Sequence, residues 1–283
     1  MTTKTWREAL ASAAAILGDR DARLIVGHVA DWTPAELAMH GDEPVNEKLQ
    51  ASIHARVERR RAGEPLQYVL GSWGFRTLDL YVDKRVLIPR PETEIVAEVA
   101  LAALRALRLD GDPPVVVDLG TGSGALALSI AKEVPDAHVW ATDASSDALE
   151  VARLNLIGLG QAAVGRVDLR HGDWFHALPD ALAGMITLVV SNPPYVRDDE
   201  TLPAVVERWE PAGALRGGAR GLDAIERIVA DAPHWLARPG AVVLEHAPDQ
   251  GEAVTALAQA AGAEDVSTHP DLVGRPRCTV AKW

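Results

Sequence analysis

Ser191, Asn192, Pro193, Pro194 and Tyr195 follow directly on the apolar run 185–190. Two successive prolines remove two backbone N–H donors and fix the local backbone. The Asn192 side-chain oxygen and the Pro193 carbonyl can then be aimed at one point. Two acceptors at one point suit a planar –NH2 group, whose two hydrogens they would hold, and Tyr195 can pack on its plane and exclude water. An amide nitrogen is a poor nucleophile, because its lone pair is delocalised into the carbonyl, and no neighbouring side chain could deprotonate it. Holding both hydrogens favours pyramidal character and points the lone pair at an electrophile. This chemistry needs no metal, and the nine histidines show no ligand spacing.

A second constellation could hold the electrophile's carrier. The apolar run 115–118 enters Leu119, Gly120, Thr121, Gly122, Ser123 and Gly124, then the helix-forming segment from Ala125. Glycines in such a turn let a ligand approach the backbone and let the helix pack on the strand. Gly120, Gly122 and Ala125 also satisfy the dinucleotide fingerprint, so the loop alone fits a nicotinamide dinucleotide and a nucleoside cofactor alike. Asp143 ends the next apolar run, where a carboxylate can accept both hydroxyls of a ribose, or cap the helix that follows. Asp173 and Trp174 follow the third run. There an aspartate could bond an adenine amino group and an indole could cover the ring, although a tryptophan in such a place is more often core.

These groups share one position: the carboxyl end of a short apolar strand. Strands are expected at 115–118, 138–143, 167–171, 185–191, 241–245 and 277–282, with helices at 125–133, 147–156 and 250–261. Such alternation predicts a parallel sheet covered on both faces, binding its ligand beyond the carboxyl ends of the strands. Residues 196–221, with Pro203, Pro211 and several glycines, form the longest irregular stretch, and a long loop in a compact domain is usually functional or mobile. Upstream, Pro91 opens a helix reaching about residue 109. Glu92 and Glu94 lie in its first turn and Arg105 and Arg108 in its last, as the macrodipole prefers. Ile95, Val96, Val99 and Ala103 make its apolar face. Residues 73–82 and 86–88 read as two strands around a turn at 83–85, a hairpin linking two domains. Residues 1–62 read as helices. Thr5 with Glu8, and Thr33 with Pro34 and Glu36, are capping boxes. A helix at 45–62 ends at Gly63, with Arg56, Arg59, Arg60 and Arg61 near its negative pole.

With 283 residues the chain has room for one large domain or two smaller ones. The net charge of −12 makes it a poor general binder of nucleic-acid phosphates. Nearly all of that charge falls in residues 73–283. No apolar run approaches the ~18–20 residues of a membrane span, and Glu8 stands where a signal peptide would begin its apolar region. One cysteine, Cys278, excludes an internal disulfide and fits a reducing, cytoplasmic setting.

Taken together, the glycine loop, Asp143 and the Asn-Pro-Pro-Tyr turn resemble class I methyltransferases that use S-adenosylmethionine. Two further segments narrow the likeness: Gly63-Glu64-Pro65-Leu66-Gln67-Tyr68 and Ile88-Pro89-Arg90-Pro91-Glu92-Thr93-Glu94. With the stretch 271–277 they resemble the release factor glutamine methyltransferases, the PrmC/HemK family. The related ribosomal-protein glutamine methyltransferases tend to carry a serine where Pro91 stands. The resemblance implies an α/β fold: a Rossmann-like seven-stranded catalytic domain at 91–283, a β-hairpin linker at 73–90 and an N-terminal helical domain at 1–72 that docks the release factor. It also implies a role in translation termination. Gly120, Thr121, Gly122, Ser123 and Gly124 would line S-adenosylmethionine, Asp143 would take its ribose and Trp174 its adenine side. Asn192, Pro193, Pro194 and Tyr195 would hold the substrate glutamine, with Asn192 facing both ligands. Two positions depart from the family pattern: Arg220 stands where an aspartate is common, and His246 and Ala247 follow Glu245 where a glycine is frequent.

Rival readings remain at this stage. An N6-adenine methyltransferase for DNA or RNA also binds an –NH2 group, but it would act on a flipped base with a strongly acidic catalytic part. A nicotinamide oxidoreductase leaves the Asn-Pro-Pro-Tyr turn without a role, and a non-catalytic binding module leaves its acceptor pair without one.

Overall fold

The computed structural model describes residues 4–107 and 113–283. Its chain divides into two compact units, residues 1–72 with 203–209, and residues 73–202 with 210–283.

The first unit contains α1 (Trp6–Leu17), α2 (Asp19–Ala30), α3 (Pro34–Met39), α4 (Glu47–Arg61) and α5 (Leu66–Leu70). Both capping boxes form: the Thr5 and Thr33 hydroxyls accept the N–H groups of Glu8 and Glu36, whose carboxylates return to the cap N–H groups. Asn46 caps α4 through Leu49 N–H, so that helix starts later than its apolar pattern suggests. Trp6, Ile25, Val26, Ile53 and Val57 meet in the core. The arginines ending α4 are engaged within the unit. Arg59 holds Glu64 and the Tyr68 carbonyl, Arg60 pairs with Asp21, and Arg61 pairs with Glu58.

In the second unit, β1 (Ser72–Phe75) and β2 (Leu78–Tyr81) form the hairpin, which turns at Arg76 and Thr77. The second strand therefore lies earlier than residues 86–88. The turn is set by Arg76, which adopts a positive φ of 51°. Its guanidinium is anchored by Glu133 at 2.7 Å and by Glu98 at 2.9 Å. Val82, Val86 and Ile88 are buried without joining a strand. Next comes α6 (Pro91–Leu107), whose buried face is Thr93, Val96, Ala97, Ala100, Leu101 and Leu104. Ile95 and Val99, expected on that face, are only half-buried. The expected last turn at Arg108 lies outside the described residues.

The remaining elements alternate: β3 (Val115–Leu119), α7 (Ala125–Glu133), β4 (His138–Asp143), α8 (Ser146–Leu159), α9 (Gln161–Val164), β5 (Val167–His171) and β6 (Ile186–Ser191). After α10 (Ala204–Trp209), which belongs to the first unit, come α11 (Asp223–Trp235), β7 (Leu236–Glu245), α12 (Gly251–Ala260), β8 (Asp265–Pro270) and β9 (Pro276–Lys282). The sheet order is β5-β4-β3-β6-β7-β9-β8. Five strands run parallel as expected, but β9 is antiparallel to both β7 and β8, so the sheet is mixed. Strand order reverses between β3 and β6, which leaves a crevice at their carboxyl ends. The buried aliphatic residues of β3, β6 and β7 hold this centre rigid.

Candidate functional site

The glycine loop is shaped from behind. Gly120 and Thr121 both donate backbone N–H to the Thr142 carbonyl at 2.9 Å, which ties the loop to β4. The Thr121 hydroxyl and the Ala127 N–H donate to the same oxygen of Asp118, at 2.7 and 3.1 Å. Asn155 on α8 donates to the Ser123 carbonyl and to the Tyr81 carbonyl, joining loop and hairpin. Gly120, Gly122 and Gly124 have φ of 73°, 56° and 86°, a region that costs a residue with a Cβ roughly 1–2 kcal/mol.

The loop borders a cavity of 460 Å³ at the switch point. Gly120, Thr121, Gly122, Ser123, Asp143 and Trp174 line it, and Asn192 and Pro194 belong to the same wall. Gly124, Pro193 and Tyr195 are not part of the lining. Gly124 instead caps α7, with Leu128 packed over it. Trp174 has a φ of 50°, and its ring lies against Gly120, 3.4 Å from where a Cβ would sit. Asp173 also reaches the cavity and pairs with Arg227 at 2.7 Å.

Two carboxylates give the cavity its electrostatic character. Asp143 accepts the Gly122 and Ser145 N–H groups, each at 2.8 Å, and burial raises its pKa. Asp118 is fully buried, and burial pushes it up to about 7. Its second oxygen, Oδ1, is buried without a hydrogen-bond partner.

At the end of β6, the Ser191 hydroxyl donates to the Leu119 carbonyl and clamps β6 to β3. Beyond it, Asn192 Nδ2 donates to Thr93 Oγ1 at 3.2 Å. Thr93 donates in turn to Glu245 Oε2 at 2.7 Å, and the Tyr195 hydroxyl donates to Glu245 Oε1 at 3.1 Å. Glu245 is fully buried at the end of β7 and is pushed up to about 7 by burial. The sequence reading placed no titratable group beside the turn. This carboxylate stands behind it, with both oxygens engaged and outside the cavity wall. Thr93 and Glu245 were both missed, although a threonine heading the buried stripe of α6 was a legible signal.

The irregular stretch buttresses the same turn. Val196 pairs with Arg216, and Gln250 donates to the Tyr195, Arg220 and Gly221 carbonyls. Glu210, buried, accepts Ile88 N–H and the Arg90 guanidinium. At the two departures from the family pattern, the Arg220 side chain is exposed and pairs with Glu226, and His246 is buried between the Ala247 carbonyl and Thr279. Among the described residues no cluster of three or more His, Cys, Asp or Glu could hold a metal ion, and no helix is long and apolar enough to cross a membrane.

The sheet order and the cavity at the switch point define the class of fold: a Rossmann-like domain with a seven-stranded mixed sheet. Solved methyltransferase structures share that fold. A methyltransferase from Pyrococcus furiosus matches with a TM-score of 0.50 at 18% identity, over 81% of this chain and 96% of that one. The catalytic domain of human Mettl16, solved with an RNA hairpin, matches with a TM-score of 0.52 at 12% identity, over 84% of this chain and 82% of its own. The family model for the methyltransferase small domain matches residues 98–212, and that for the PrmC N-terminal domain matches residues 3–71. The chain is 43% identical to the release factor glutamine methyltransferase of Burkholderia pseudomallei, over 92% of this chain and 90% of that protein. It is 45% identical to that of Streptomyces coelicolor, over 80% and 78%. The chain belongs to the release factor glutamine methyltransferase family.

Proposed function

We propose that the protein methylates the side-chain amide nitrogen, N5, of the glutamine in the Gly-Gly-Gln tripeptide of peptide chain release factors, using S-adenosylmethionine in the cytoplasm. The observation that carries this reading is a single cavity whose wall contains both the glycine loop with Asp143 and the Asn192 turn. Family membership supports the substrate, and the buried, partnerless Cys278 thiol agrees with a reducing compartment.

The residues present fit S-adenosylmethionine. Gly120 and Gly122 offer a side-chain-free backbone surface, Asp143 keeps acceptor capacity for ribose hydroxyls, and Trp174 gives an apolar face for adenine. The unpartnered Asp118 oxygen matches an ammonium group of the amino-acid end. When bound, the cofactor supplies a methyl group on a positively charged sulfur. Asn192 Oδ1 and the Pro193 carbonyl accept the two amide hydrogens, and Tyr195 shields the amide plane. Nitrogen lone-pair character grows along the line of attack. So held, the nitrogen would face the methyl group that the cofactor would supply and would shed one of its two hydrogens only after it had gained that methyl.

The test is incubation with methyl-labelled S-adenosylmethionine and either purified release factor or duplex DNA. Label on the tripeptide glutamine is expected. Label on adenine alone, or none on a release factor that keeps its glutamine, overturns the reading.

A further inference from the structure

Asn192 carries the proposed reaction only if its oxygen, not its –NH2, faces the substrate. An asparagine can rotate by half a turn at little steric cost, so something must choose the face. Thr93 has one hydroxyl proton, and it goes to Glu245 at 2.7 Å. Toward Asn192, 3.2 Å away, the hydroxyl can then present only lone pairs. A rotated Asn192 would set its carbonyl oxygen against them. The same Glu245 receives the Tyr195 hydroxyl, so one buried carboxylate orients both ends of the turn.

Resting on the function proposed above, we infer that Glu245 and Thr93 are positioning residues: they form a one-directional hydrogen-bond relay that fixes Asn192 with its acceptor oxygen toward the substrate amide. The three residues come from three different elements, the first turn of α6, the end of β6 and the end of β7. Ser191 and Leu244 are register partners in the sheet, so Asn192 and Glu245 are the next residues along the two neighbouring chains, Glu245 being the last of β7. Ionised Glu245 is acceptor-only, so it sets the direction of the relay. A glutamine in its place would have one acceptor and one donor, and could not receive both Thr93 and Tyr195.

The test compares T93V, T93S and E245Q with the wild type in release-factor methylation, alongside cofactor affinity and thermal unfolding. T93V keeps the shape and loses the hydroxyl, so turnover should fall about 10²-fold, the scale of a misplaced reacting group. Cofactor affinity should stay within about twofold, the spread of uncoupled sites. T93S restores the hydroxyl and should recover most of the loss, while E245Q should fall like T93V. In an N192A background T93V should cause no further loss, because the group it orients is gone. Wild-type turnover in T93V, or independent multiplication of the T93V and N192A effects, overturns the relay. Should T93V lose its unfolding transition, E245Q and T93S decide by the same comparison. Failure of the wild type itself to label the release factor would instead overturn the proposed function.

Discussion

Asp143 Oδ2 accepts the backbone N–H of Gly122 at 2.8 Å, so the carboxylate that ends β4 also shapes the glycine loop that follows β3. Loop geometry and the proposed ribose recognition therefore meet in one side chain. Asp143→Ala should weaken S-adenosylmethionine binding by ~1.5–3 kcal/mol, the value of charge-assisted hydrogen bonds. Asp143→Asn should fall between, since it keeps one acceptor. Isothermal titration calorimetry checks this; an unchanged dissociation constant for the alanine variant removes Asp143 from the site.

Gly217 has an ordinary φ, yet a Cβ there would lie 2.4 Å from the Pro194 carbonyl oxygen and 3.0 Å from that of Gly221. Both are backbone atoms, so the Asn192 turn itself must shift. Gly217→Ala should cost about 1–3 kcal/mol of stability through overpacking. It should also lower turnover more than cofactor affinity. Denaturant unfolding and steady-state kinetics measure the two effects, and wild-type values in both would show that the loop yields without moving the turn.

Asn192→Ala should leave cofactor binding nearly normal and reduce methyl transfer ~10²–10³-fold, as for loss of one preorganised hydrogen-bonding group. Asn192→Asp keeps the acceptor and the shape. Its second oxygen, however, would face the lone pairs of Thr93, so it should retain less than full activity while exceeding alanine. Single-turnover rates separate these cases. An aspartate variant as slow as alanine would mean that the acceptor oxygen at this position contributes nothing by itself.

Glu245 and Asp118 are both pushed up to about 7 by burial. For Glu245, hydrogen bonds from Thr93 and Tyr195 and the charge of Arg277 act in the opposite direction, while Glu92 adds to the rise. The folded protein therefore binds more protons than the unfolded chain between the ordinary carboxylate range and about 7. The stability these groups contribute is full below that ordinary range and is lost as pH rises through about 7, by roughly 3–4 kcal/mol per group. The cofactor-free protein should accordingly unfold at higher denaturant concentration at about pH 5.5 than at about pH 8, and Glu245→Gln should shrink the difference. Turnover should run the other way, rising as Glu245 ionises and the relay acquires its direction. Flat profiles of both quantities would contradict this pairing.

Much of this was legible in the sequence because the candidate ligands sit where strands end. Gly120, Asp143, Trp174 and Asn192 each follow an apolar run, and a run of that kind in an α/β chain fixes both the strand and the side of the sheet on which its next residue emerges. What escaped was what depends on partners far along the chain. Asp265–Pro270 forms β8 although it is mostly polar, because it pairs with β9 at an edge and buries little. Helix α11 was missed through weak capping at Leu222, despite the buried stripe of Ile225, Ile228 and Val229. Thr93 and Glu245 lie 152 positions apart, and no local pattern joins them.

Cys278 sits on β9 between Glu245 of β7 and His269 of β8, fully buried, with burial pushing its thiol up to about 12. A thiol reagent attacks the thiolate and needs access, so the native sheet denies it both. Labelling must wait until the β8 edge detaches or the whole domain unfolds. The protein thus carries a built-in stopwatch: the rate at which its lone sulfur is captured reports how often that end of the sheet opens. Since Glu245 is the register partner of Cys278, slower capture on adding S-adenosylmethionine would show ligand occupancy being felt across the sheet.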